Sequence, residues 1–83
     1  MVSFTYRIQG TAGLHARPAT VLSRIAAGGK AHVRVACGAS ACDACDLMGL
    51  FALDAACGDV LMFTVQGPDE RSIADALEAA CTF

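Results

Sequence analysis

Few residues in this chain have the types and spacing that chemistry requires, and the densest group is Gly13-Leu14-His15-Ala16-Arg17-Pro18-Ala19. An imidazole there stands at the junction of a turn and a helix start. Proline suits the first helical turn, where its missing N–H costs nothing. The N–H groups of Ala16 and Arg17 are then left without intrahelical partners, and a helix N-terminus with free N–H groups attracts anions. Arg17 adds a permanent positive charge whose planar fork matches phosphate oxygens. A phosphoryl group arriving on the ring of His15 would meet these donors already in place. No general base or metal-ligand set accompanies the histidine, so holding and releasing phosphate suits the segment better than hydrolysis. The plainer alternative is a helix cap beside a solvated arginine, and residue types alone leave both open.

The other reactive side chains form weaker patterns. His32 sits on the polar side of a strand-like segment with no nearby carboxylate or thiol constellation, and reads as an ordinary exposed residue. Cys42-Asp43-Ala44-Cys45 has redox or zinc spacing, but no second Cys or His pair follows at a matching distance. In a short strand, residues three apart face opposite sides, which separates these thiols. All five cysteines (Cys37, Cys42, Cys45, Cys57, Cys81) are therefore assigned to packing, with no metal site expected.

The elements that must position His15 follow from periodicity. Phe4, Tyr6 and Ile8 alternate with polar residues, giving a half-buried strand over 3–9. Ala19, Leu22, Ile25 and Ala26 recur at helical spacing over 16–27, and Gly28-Gly29 stops the helix. Strands are predicted over 32–37, 41–45 and 60–66, with a short helix over 47–51 behind Asp46, a good N-cap residue. Gly67-Pro68-Asp69-Glu70 opens a last helix with Ile73, Leu77 and Cys81 as its apolar stripe. The β-α-β-β-α-β-α order predicts an α+β fold, a four-stranded antiparallel sheet with three helices on one face. Thr5, Arg7, His32, Arg34, Met62 and Thr64 would lie on the other face.

Length and composition set the bounds. Eighty-three residues, 55% hydrophobic and 17% charged, with mean hydropathy +0.52, fit one small domain over 1–83 and exclude charge-driven disorder. No uncharged apolar run approaches the roughly 20 residues of a membrane-spanning helix. A net charge of −2 argues against a nucleic-acid partner. The N-terminal residues lack the pattern of a signal peptide, so the expected location is cytoplasmic.

Gly13-Leu-His-Ala-Arg-Pro-Ala19 resembles the active-site motif of the HPr family, the histidine-containing phosphocarriers of the bacterial phosphotransferase system. The resemblance continues through Thr20-Val21-Leu22 and returns at Asp46-Leu-Met-Gly-Leu50 and Gly67-Pro-Asp-Glu70. It implies the HPr-like open-faced β-sandwich, and that His15 accepts phosphate on Nδ1 from phosphorylated Enzyme I, itself charged by phosphoenolpyruvate. A histidine of a IIA-type domain would then receive it, in sugar uptake or a related regulatory relay. Arg17 and the amides of Ala16 and Arg17 would stabilise the phosphate. The resemblance further implies a monomeric stoichiometric carrier rather than an enzyme, with no cofactor. Its docking surface would use Thr20, Arg24, Leu47, Met48 and Phe51; at helical spacing Leu47, Leu50 and Phe51 cannot all face outward, which predicts Leu50 buried and Met48 most exposed. The alternative is an HPr-like regulatory module that binds partners without efficient relay.

Three departures from the family pattern stand out. Asp46 occupies the position where many relatives carry a regulatory serine; it reads as a helix cap or as a partial imitation of phosphoserine. Ala12 replaces a short polar residue that could orient the histidine, so either Thr11 or a backbone group orients the ring or the ring is looser. The first helix carries few cations around the docking face, which predicts weak electrostatic steering.

Overall fold

The computed structural model describes residues 1–83. Its elements are β1 (Val2–Arg7), α1 (Ala16–Ala27), β2 (His32–Cys37), β3 (Ser40–Asp43), α2 (Leu47–Ala52), β4 (Val60–Gln66) and α3 (Glu70–Ala80). The strands form one antiparallel sheet in the order β1-β4-β2-β3. This is the open-faced α+β arrangement expected from the element order.

Register explains the two faces. Phe4 pairs with Phe63, Phe63 with Val35, and Val35 with Cys42, so one row of apolar side chains crosses all four strands. Within it Phe4 and Phe63 stack at 4.7 Å between ring centroids. Leu22, Ala26, Leu50, Ile73 and Leu77 from the helices close over this face, and the buried cluster is wholly apolar. With no polar or charged side chain buried, the chain has no enclosed reactive constellation, and its chemistry must sit at the surface. The outer rows, Thr5–Met62–Ala36–Ala41 and Ser3–Thr64–Arg34–Asp43, face away from the helices.

Several boundaries differ from the sequence reading, each for a local reason. The first strand ends at Arg7. Ile8 still donates to the Asp59 carbonyl, but Gln9 turns to the carbonyl of Phe83 (3.0 Å). The third strand ends at Asp43 because that residue folds the chain over. Its carboxylate accepts the Cys45 N–H at 2.8 Å and its carbonyl accepts the Asp46 N–H at 3.0 Å. Cys45 therefore lies in the turn beyond the strand that holds Cys42, so strand alternation does not apply to this pair. Cys81 falls just beyond α3, half-buried, and so is not part of its helical stripe. Asp46 does occupy the N-cap position of α2, yet its carboxylate caps nothing. It lies over Gly49, where a Cβ would come within 2.7 Å of Oδ2.

Candidate functional site

The backbone places His15. Gly13 adopts φ +65°, and a Cβ there would meet the Ala55 carbonyl oxygen at 2.5 Å and Ala56 Cα at 3.0 Å. Only glycine fits this approach. Leu14, buried, then donates its N–H to the Ala55 carbonyl at 3.0 Å. The chain reaches His15 in an extended conformation at the N-cap of α1, and the His15 carbonyl accepts the Ala19 N–H at 3.1 Å. Pro18 and Ala19 are buried beneath the first turn, while His15, Ala16 and Arg17 are exposed.

The consequence for binding is direct. No backbone or side-chain acceptor in the chain takes the N–H of Ala16 or Arg17, and Pro18 has none to offer. Two free donors at a helix start, an exposed guanidinium and an exposed imidazole thus share one surface, an arrangement suited to a phosphoryl group. No acidic residue occupies the first turn of α1 to oppose an anion. The imidazole makes no hydrogen bond to another side chain. Thr11 and Ala12 are both exposed and neither bonds the ring, so it is the backbone that sets where His15 stands at the start of α1.

Beside the histidine lies an open groove of about 390 Å³, walled by His15, Arg17, Pro18 and Val21 on one side and Ala80, Thr82 and Phe83 on the other. The sequence reading missed this second wall. Val21 was recoverable, because it follows Arg17 by four residues and so shares its helix face. Residues 80–83 gave no local signal, since only tertiary folding brings them near residue 15.

The expected docking residues lie along α1 and α2. Met48 is 73% exposed and Phe51 39%, whereas Leu50 is fully buried. Leu47 and Thr20 are half-buried, and Arg24 is exposed. Ser23 Oγ donates to the Cys45 carbonyl at 3.4 Å, linking α1 to the turn before α2. Asp46 is exposed next to this apolar pair.

A second recess of about 430 Å³ lies between β3 and α2, lined by Cys42, Asp43, Asp46 and Gly49 among others. It holds carboxylates and a thiol but no cation or histidine, so it cannot serve phosphate. Burial, followed by the carboxylates of Asp46 and Asp43, pushes the Cys42 thiol above its ordinary pKa. Burial and Asp43 do the same at Cys45. Both effects oppose the thiolate needed for redox or zinc chemistry. No three His, Cys, Asp or Glu side chains are grouped to hold a metal ion. His32 does have a carboxylate neighbour, contrary to the sequence reading. Asp43 Oδ2 lies 3.6 Å from its Nδ1, because the register sets Asp43 opposite Arg34, two residues along from His32. His32 is largely solvated and Asp43 partly so, and a contact this open to water contributes little.

Comparison with known proteins points the same way. A family model described as "PTS HPr component phosphorylation site" matches residues 2–82. The chain is 35% identical over 78 residues to a phosphocarrier protein HPr of Treponema pallidum, covering 94% of this chain and 89% of that one. It is 37% identical over 76 residues to a multiphosphoryl transfer protein of Xanthomonas campestris pv. campestris, covering 92% of this chain but only 9% of that longer one. Among solved structures, an HPr of Thermoanaerobacter tengcongensis superposes with a TM-score of 0.90 at 28% identity, over 98% of this chain and 91% of that one. No helix is long and apolar enough to cross a membrane. With the histidine at a free helix start, the open-faced fold and a family match along nearly its whole length, the chain belongs to the HPr family of phosphotransferase-system phosphocarriers.

Proposed function

We propose that His15 is the phosphoryl acceptor, taking the group on Nδ1 from phosphorylated Enzyme I and passing it to a histidine of a IIA-type domain. The observation that carries this reading is the pair of unpartnered N–H groups, Ala16 and Arg17, beside an exposed imidazole and the Arg17 side chain. The ring lone pair attacks phosphorus as the donor N–P bond breaks, and that bond's electrons stay on the donor ring. The helix start and Arg17 hold the equatorial oxygens, lowering the cost of their charge. The reverse geometry serves onward transfer, so the protein works stoichiometrically, as a cytoplasmic monomer without a bound cofactor. Arg24, Thr20, Leu47, Met48 and Phe51 form the contact surface for both partners.

Incubation with phosphoenolpyruvate and a cognate Enzyme I, followed by intact-mass measurement, tests this directly. An acid-labile, phosphate-sized gain that disappears in His15→Ala is expected. No gain, with binding to Enzyme I retained, supports instead a regulatory module that docks without relay.

A further inference from the structure

Because no side chain holds the His15 ring, whatever fixes the 10–15 loop also fixes the histidine, and that loop is clamped from outside α1. Gly13 packs on Ala55 and Ala56, and Leu14 donates to the Ala55 carbonyl at 3.0 Å. Ala55 is buried in the core, whereas Ala56 is exposed and the segment is entered through Asp54 with φ +51°. What braces the exposed Ala56 side of this peptide is Asp59. Asp59 Oδ2 accepts the Ala56 N–H at 2.9 Å, and the Asp59 N–H donates to the Ala56 carbonyl, also at 2.9 Å. Asp59 is in turn anchored to the sheet end, since its carbonyl accepts the Ile8 N–H at 2.9 Å while Gly58 donates to the Ile8 carbonyl at 2.8 Å.

The geometry points to Asp59 as a positioning residue for His15, acting through Ala56 and Ala55 on Gly13 and Leu14. This inference rests on the carrier reading of His15. Asp59 touches neither the imidazole nor the phosphate-binding donors. Its carboxylate closes the 56–59 turn, the turn holds the Ala56 end of the peptide while the core holds Ala55, and the Ala55 carbonyl sets where the chain enters α1. A loosened turn lets His15 drift relative to the Ala16 and Arg17 amides, and small displacements of reacting groups slow transfer steeply.

The test compares Asp59→Ala with Asp59→Asn, which keeps an acceptor oxygen. Asp69→Ala serves as control, because it breaks a similar bond (Lys30 N–H to Asp69 Oδ2, 2.7 Å) at the opposite end of α1. Phosphoramidate replaces Enzyme I as donor so that partner docking plays no part, and Leu14 amide exchange is followed by NMR. Asp59→Ala should slow phosphorylation roughly tenfold and speed Leu14 exchange, with Asp59→Asn returning most of both. Asp69→Ala should lower the melting temperature yet leave both readouts at wild-type values. If Asp59→Ala does not fold, Asp59→Gln, which shifts the acceptor by one methylene, should show the same slowing. Wild-type phosphorylation and Leu14 protection in a folded Asp59→Ala or Asp59→Gln overturn the inference. If wild type itself takes no phosphate, the carrier reading fails, while Leu14 exchange still decides whether Asp59 braces the loop.

Discussion

At His15 the ring is exposed and makes no hydrogen bond to another side chain, and the groups able to meet a phosphate belong to the next two residues. Arg17 adds charge to two backbone donors, and charge-assisted hydrogen bonds of this kind contribute about 1.5–3 kcal/mol each. Arg17→Ala should therefore slow phosphoryl acceptance roughly tenfold or more at unchanged melting temperature, read by quenched-flow mass spectrometry. The motif was legible because everything it needs is local: Gly13, Pro18 and Arg17 stand within five residues of one another. The cysteines behave differently. Burial lifts the Cys81 thiol to about 11, so in the folded state it resists ionisation. Its contribution to stability is complete below pH 9 and is lost as pH rises from there through 11, where the unfolded chain gains by ionising first. Chemical denaturation should show a decline between pH 9 and 11 that Cys81→Ala reduces. Maleimide should modify the exposed Cys45 and Cys57 before Cys81.

Elements divide the apolar residues of α2 between two tasks. Leu50 points into the core, whereas Met48 and Phe51 stay in solvent. Leu50→Ala should cost about 2–5 kcal/mol of folding stability by urea titration. Met48→Asp should leave stability within experimental error yet slow transfer from Enzyme I, without changing phosphorylation by phosphoramidate. Helical spacing made this split legible, since residues 47, 50 and 51 cannot all share one exposed face. Asp46 was half legible. Its type and position announced a cap, but the absent side chain at Gly49 lets the carboxylate settle where it meets no helix N–H. Asp46→Ala should accordingly cost less than about 0.5 kcal/mol, below the usual ~1 kcal/mol for a lost cap. The early end of β3 was hidden for a related reason, because Asp43 closes a turn through its own backbone and side chain and alternation gives no sign of it.

For the whole molecule, a thin apolar core supports a reactive surface instead of enclosing a pocket. Strand and helix order was readable from periodicity, and so was the layering. The groove wall from residues 80–83 was not, because it comes from chain ends of α1 and α3 brought together only by the fold. Net charge is −2, and the cations of α1 are Arg17 and Arg24 alone. Exposed charges are screened beyond about 8–10 Å at ordinary salt, so sparse charge leaves little steering to lose. Transfer from Enzyme I should change less than about threefold between 50 and 500 mM salt, measured by stopped flow. Whether phosphate on His15 is held by the start of α1 is read from ¹⁵N NMR of the protein before and after phosphorylation. Phosphorylation should place the group on Nδ1 of His15 and move the Ala16 and Arg17 amide protons far downfield, with little change around Lys30. Phosphate on another residue, or a phosphorylated His15 with unmoved Ala16 and Arg17 amides, would contradict it.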